Sequence, residues 1–224
     1  MKKIGVLALV LVFAFGALGI GYAHWSQTLY VEGTVKTGTL GVGFWECVCT
    51  EDPEVGDKPV GSITCEMVDQ KGEKFDPYPS PGAMKPVYER ILVTIDNAYP
   101  CYGVHIVHTV VNFGTIPAHV ISYGLSDLTG ELKFEWTTPP PASPAYGFFW
   151  KDFDGDGVYD PPDPAVDDPG ELIISVKLVN LVCEQLDPCS EEKGELDLHV
   201  EQAAEQGHTY NVLATIEAVQ WNAP

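Results

Sequence analysis

The sequence predicts an all-β fold, an antiparallel β-sandwich or barrel, on three observations. After residue 24 apolar and polar residues alternate with a period of two, and helical periodicity is nearly absent. The alternating segments are short and bounded by Gly, Pro, Asn and Asp, the residues that make turns. Roughly nine such segments succeed one another, the number a single sandwich uses. The 224 residues are enough for one large domain with a substantial core.

The first element is not part of that pattern. Lys2 and Lys3 precede an uncharged, mostly apolar run from Ile4 to Tyr22, and Gly21 and Ala23 form a small-residue pair. Residues 1–23 therefore read as a secretion signal cleaved before His24. The run is nearly long enough to span a bilayer, so an uncleaved anchor is the competing reading.

Residues 24–37 follow as one alternating segment, with Trp25, Leu29, Val31 and Val35 on one face. Leu40, Val42 and Phe44 resume on the other parity, which places a bend or bulge at Gly38. "VYERILVTID" puts Val87, Ile91, Val93 and Ile95 on one face, and "CYGVHIVHTVVNF" follows a Tyr99-Pro100 turn. "GTIPAHVISY", "GELKFEW", "ELIISVKLVNLV", "ELDLHVE" and "TYNVLATIEAVQW" supply the remaining strands. "HVEQAAEQG" is the one stretch suited to a helical turn or two. Two tracts rich in Pro, Gly and charge, near 50–86 and 137–170, read as long surface loops inserted in one domain, 38–224. Trp45, Phe148, Phe149, Trp150 and Trp221 read as core.

Thirty-two acidic residues stand against 12 Lys and Arg, a formal net charge of −20. Such a surface repels nucleic acid and anionic lipid and attracts divalent cations. No nucleic-acid partner is expected, and no stable membrane association after signal cleavage. Export permits disulfides. The cysteines are Cys47, Cys49, Cys65, Cys101, Cys183 and Cys189. Six cysteines allow 15 connectivities. Cys47 and Cys49 are two apart on a strand and share a face. The expectation is that they reach Cys65 and Cys101, with Cys183 and Cys189 closing a small loop. A zinc site fits less well, because C-x-C with scattered partners lacks the paired C-x-x-C spacing.

"DFDGDGVYDPPD" carries the clearest chemistry. Calcium takes six to eight hard oxygen ligands around a compact loop, and D-x-D-x-D-G supplies them with a glycine at the sharp turn. Asp152, Asp154 and Asp156 take the first, third and fifth positions and Gly157 the sixth. The Val158 carbonyl serves at the seventh, Asp160 at the ninth and Asp163 at the twelfth. Pro161 and Pro162 forbid the exiting helix of an EF-hand. The expected cofactor is a structural calcium ion. Asp167, Asp168 and Glu171 are further candidates that the spacing does not specify.

No catalytic residue is assigned. The six histidines contain no H-E-x-x-H, and there is no G-x-S-x-G elbow. His105 and His108, three apart on a strand, face opposite sides.

The chain resembles the TasA/camelysin family of secreted β-sandwich proteins, which includes biofilm-matrix fibre subunits and archaeal bundling-pilus subunits. The resemblance rests on "GTVKTGTLGV" after the signal, on "VTIDNAYPCYGVHIVHTVVNFGTIPAHV" with its Asn112-Phe113-Gly114-Thr115 turn, and on the closing "ATIEAVQWN". It implies a jelly-roll-like sandwich, secretion, and self-association into an extracellular filament or biofilm matrix. There the N-terminal strand, here residues 24–37 with Trp25, Leu29, Val31 and Val35, inserts into the next subunit. Camelysin members are classed as surface metalloproteases, so a protease or a monomeric adhesin is the alternative. The cysteines and the two long loops depart from the short members.

Overall fold

In a computed structural model, residues 2–22, 37–51, 61–76, 83–162, 170–179, 181 and 185–220 are described. The chain divides into two compact units, Met1–Thr37 and Gly38–Pro224. The first holds α1 (Lys2–Tyr22). Its described side chains, residues 4–16, are all exposed, and among the described residues no helix is long and apolar enough to cross a membrane. Trp25, Leu29, Val31 and Val35 lie outside the described residues.

The second unit is mostly β. Its strands are β1 (Val42–Glu51), β2 (Ser62–Asp76), β3 (Ala83–Ala98), β4 (Gly103–Asn112), β5 (Ala118–Asp127) and β6 (Lys133–Thr138). They continue with β7 (Ala145–Trp150), β8 (Leu172–Val179), β9 (Gln185–Leu186), β10 (Glu191–Val200) and β11 (His208–Gln220). All pair antiparallel in one sheet, in the order β6-β7-β8-β10-β4-β1-β3-β11-β5-β9. β2 lies on the other edge of β3, since Arg90 pairs with both Val68 and Thr215.

A single register pair, Phe44↔Tyr88, joins β1 to β3. It separates six strands that end in β1 from the group β2, β3, β11, β5 and β9. The sheet doubles over at this link. His108 of β4 and Tyr123 of β5 stand with β1, β3 and β11 between them in the strand order, yet their rings lie 5.5 Å apart. Phe44 also meets both rings edge-on. The core between the facing surfaces includes Val93, Ile95, Ile106, Val110, Val120, Leu196, Leu198 and Val212, all buried. Alternation explains the selection: Val104, Ile106, His108 and Val110 point inward from β4, whereas His105 points out to Asp197.

Two motifs read separately in the sequence pair with each other. Phe113 and Gly114 donate to the Gly41 carbonyl at 2.8 and 3.2 Å, and Thr115 donates to the Thr39 carbonyl at 2.8 Å. Thr39 donates in turn to Thr115 Oγ1 at 2.8 Å. The β1–β4 ladder, which reaches Val42↔Asn112, thus continues into the turn. A side chain at Gly114 would collide with the Thr39 carbonyl, and one at Gly38 with the Ile116 methyl, so both positions need the missing Cβ. Asn112 anchors the turn. Its buried amide donates to the Ile116 and Leu186 carbonyls at 2.9 and 2.8 Å, and its Oδ1 accepts from Gly114 at 2.9 Å.

A register shift falls within β1, between Phe44 and Glu46, and the segment before Gly38, where a bend or bulge was expected, lies outside the described residues. Three expectations are corrected. Residues 50–86 contain β2, and β3 begins at Ala83. β2 needs one apolar face only, Ile63, Cys65 and Met67, and its polar remainder hid it. Residues 137–170 contain β7, whose Ala145, Phe149 and Trp150 are core. "HVEQAAEQG" ends β10 and makes turns, closed by Ala204 N–H to the Glu201 carbonyl, and no helix. Trp45, Phe149 and Trp150 are buried as expected, Phe148 is half-buried, and Trp221 lies outside the described residues.

His108 is fully buried over Gly194, and neither ring nitrogen has a hydrogen-bond partner. Burial pushes it down to about 4 from 6.5. Between those values the unfolded chain binds a proton that the folded chain refuses. Stability from this group is therefore complete above pH 6.5 and falls as pH drops toward 4, by about 3 kcal/mol in all. Urea denaturation across that window is expected to show a shallower acid loss for His108→Leu than for the wild type. Equal slopes would contradict this assignment.

Candidate metal loop

The acidic loop joins β7 to β8. Asp152, Asp154 and Asp156 each offer an oxygen within 4.8 Å of the others. The backbone holds them there. Gly155 and Gly157 donate to the two oxygens of Asp152 at 2.7 and 2.9 Å. Asp156 N–H donates to Asp154 at 3.0 Å, and Val158 N–H to Asp156 at 2.7 Å. Gly155 and Gly157 have φ of 81° and 82°, a region that other residues enter only at a cost, so the glycines set the turn.

Glu171 ties the loop's two ends to the sheet. It is a buried carboxylate, accepting from Phe153 N–H at 2.8 Å and from Asp160 N–H at 3.1 Å. Its own backbone donates to the Asp160 carbonyl and accepts from Lys151. Tyr159 closes the base, its ring 4.6 Å from Phe148 and 5.9 Å from Trp150. Lys133 approaches from β6, because Lys133↔Trp150 is a register pair. Its ammonium lies 4.4 Å from the Trp150 ring and 3.1 Å from Asp152. That hydrogen bond, with those from Gly155 and Gly157, holds the Asp152 carboxyl below the usual range.

Three carboxylates converge and Lys133 is the cation recorded beside them, on Asp152. A hard divalent ion would offset the remaining repulsion, and oxygen donors at this spacing suit calcium. Asp152, Asp154 and Asp156 would hold it. The Val158 side chain is exposed, and its backbone N–H is the atom bound to the group, at Asp156. The Asp160 carboxylate is outside the converging group, though its backbone is bound to Glu171. Asp163 lies outside the described residues. The motif spacing located the three aspartates but could not single out Glu171 or Lys133. Glu171 is brought back by the β7–β8 pairing and Lys133 by the β6–β7 register.

The cysteines fall into different places. Cys47, Cys49 and Cys65 are half-buried against the same core cluster, and Cys65 interacts electrostatically with both others. Cys101, expected to join them, instead sits exposed at the Tyr99–Cys101 turn, with Gln202 Nε2 3.1 Å from its sulfur. Cys101 has a positive φ of 70° in this turn, and its N–H donates to the Val200 carbonyl at 2.8 Å. Cys189 is exposed, and Cys183 lies outside the described residues. The five described cysteines are free thiols. On the outer face, His105, Asp197 and Lys177 form a row across β4, β10 and β8, with contacts of 2.6 and 2.9 Å.

Compared with known proteins, the chain matches no family model, no curated protein and no solved structure.

Calorimetric titration is expected to give binding of one calcium ion per chain, with a higher melting temperature than in chelator. The Asp154→Asn, Asp156→Asn double variant loses both effects, and Glu171→Gln weakens binding by about tenfold, since one buried N–H loses its acceptor. An unchanged melt together with no binding heat would exclude the site.

Proposed function

We propose that the protein is an exported structural subunit of an extracellular filament or biofilm matrix, polymerising by strand addition of its segment 24–37 into the next copy. In this reading 1–23 is a signal peptide, and the doubled-over sheet is a jelly-roll-like sandwich with a calcium-stabilised loop. The partner is another copy of the chain, and no catalytic role is assigned.

The observation that carries this reading is an open strand edge near the point where the sheet unit begins. β11 pairs with β3 only as far as Thr215, whereas it pairs with β5 through Gln220. Ile216–Gln220 therefore has β5 as its one strand partner among the described residues. A small cleft opens there, lined by Leu40, Val42, Lys71, Ile216 and Ala218. Unpaired edges are templates for added strands. The alternating segment 24–37 has the pattern that such an edge accepts: one apolar face to bury and a backbone to pair. Burying Trp25, Leu29, Val31 and Val35 in a neighbour stabilises by several kcal/mol, at about 25 cal/mol per Å². A strand passed head to tail generates an open filament instead of a closed dimer. Against a camelysin-like metalloprotease stands the donor set of the described metal group: three aspartates, where zinc enzymes use histidine.

Electron microscopy of protein starting at His24 is expected to show filaments, and protein starting at Gly38 to remain monomeric with a cooperative melt. A synthetic 24–37 peptide should bind the shorter protein. Filaments from the shorter protein, or only monomers from the longer one, would overturn the reading.

A further inference from the structure

Beyond Phe44, β1 pairs with β4 on one side and β2 pairs with β3 on one side. The two strands run close to each other, but among the described residues no backbone ladder joins them. Side chains close this seam. Cys47 and Cys49 alternate with exposed Glu46, Val48 and Thr50, so both thiols face inward from β1. Cys65, between Ile63 and Met67, faces inward from β2. Cys47 and Cys49 from β1 and Cys65 from β2 pack against the same core surface, and Cys65 interacts electrostatically with both across the seam.

We propose that this seam is a disulfide site in which Cys65 takes either of two partners, Cys47 or Cys49, so that the oxidised chain carries one crosslink and one resident thiol. The oxidant is a small-molecule or protein disulfide. The Cys65 thiolate attacks one of its sulfurs, forming a mixed disulfide and releasing one thiolate. Cys47 or Cys49 then attacks the Cys65 sulfur, closing the bond and releasing the second thiolate. Two protein thiols are oxidised, one disulfide is reduced to two thiols, and the two protons pass to them. The resident thiol can attack the new bond and exchange partners. Burial and the hydrogen bond to Cys65 push Cys49 up to about 12. The hydrogen bond to Cys47 and burial raise Cys65 as well. A shared metal ion fits less well: the described side chains that converge closely enough to hold one are the three aspartates, not these thiols.

The site stands apart from the filament reading and is tested on the purified full chain. The protein is reduced, equilibrated with oxidised glutathione, alkylated and mapped by mass spectrometry. The wild type is expected to show Cys65 joined to Cys47 in some molecules and to Cys49 in the rest. Cys47→Ser and Cys49→Ser each keep a Cys65 crosslink, and Cys65→Ser leaves Cys47 and Cys49 open to alkylation. Reduction should lower the melting temperature of the two single variants that keep the bond. Cys65 that stays alkylatable in folded wild type, Cys65 joined to any other cysteine, a Cys47–Cys49 bond in the wild type, or stoichiometric zinc protecting the three thiols would each overturn the proposal.

Discussion

The buried side chain of Asn112 is the interaction on which the sheet unit's arrangement depends. It stands at the end of β4, where the chain must leave one group of strands and enter the other as β5. One amide spans that gap, donating to the crossover at Ile116 and to β9 at Leu186, and accepting from Gly114. Its own backbone is bound on the β10 side, donating to the Ser190 carbonyl and accepting from Cys189 N–H. A residue with one acceptor and two donors on a short stem meets all these demands, and an apolar replacement would leave buried carbonyls bare. At about 1 kcal/mol net per hydrogen bond, the three side-chain bonds contribute about 3 kcal/mol. Their larger effect is topological. By fixing the turn after Asn112, they present Phe113, Gly114 and Thr115 to the incoming Thr39–Gly41 segment. The start of the sheet unit and its middle are thus locked together.

From that lock the rest follows by register. β1 is set against β4, and Phe44 lands opposite Tyr88 as the single link to β3. The sheet folds over there, and Phe44, His108 and Tyr123 meet in the interior. Neither His108 nor the Tyr123 hydroxyl has a hydrogen-bond partner, so this contact is held by apolar packing and aromatic geometry at the cost of desolvating polar atoms. The interior tolerates that cost because the imidazole stays neutral. Register also aims the chemistry at the surface. It puts Lys133 beside Asp152 and aligns His105, Asp197 and Lys177 in one row.

What the sequence made legible was local. The D-x-D-x-D-G spacing marked three aspartates that converge, and the Asn-x-Gly-Thr turn marked the residue that clamps the crossover. Period-two alternation gave the mostly β character and the inward face of β4. What stayed hidden depended on pairing between distant segments. β2 alternates only as far as Met67 and is polar throughout from Asp69 to Lys74, so its ladder with β3 is what reveals its full length. Glu171 reads as one acid among many until the strand pairing returns it to the loop's ends. Spacing put Cys65 and Cys101 alike with Cys47 and Cys49, and could not tell that the seam between β1 and β2, strands that do not pair, takes Cys65 and leaves Cys101 exposed.

The most direct test of the central role of Asn112 is native-state hydrogen exchange at the amides of Phe113, Gly114 and Thr115. If the turn is locked to Thr39–Gly41 by the Asn112 clamp, these amides exchange as slowly as those of β4, through global unfolding. Exchange at the rate of an open surface loop, while β4 stays protected, would contradict the account.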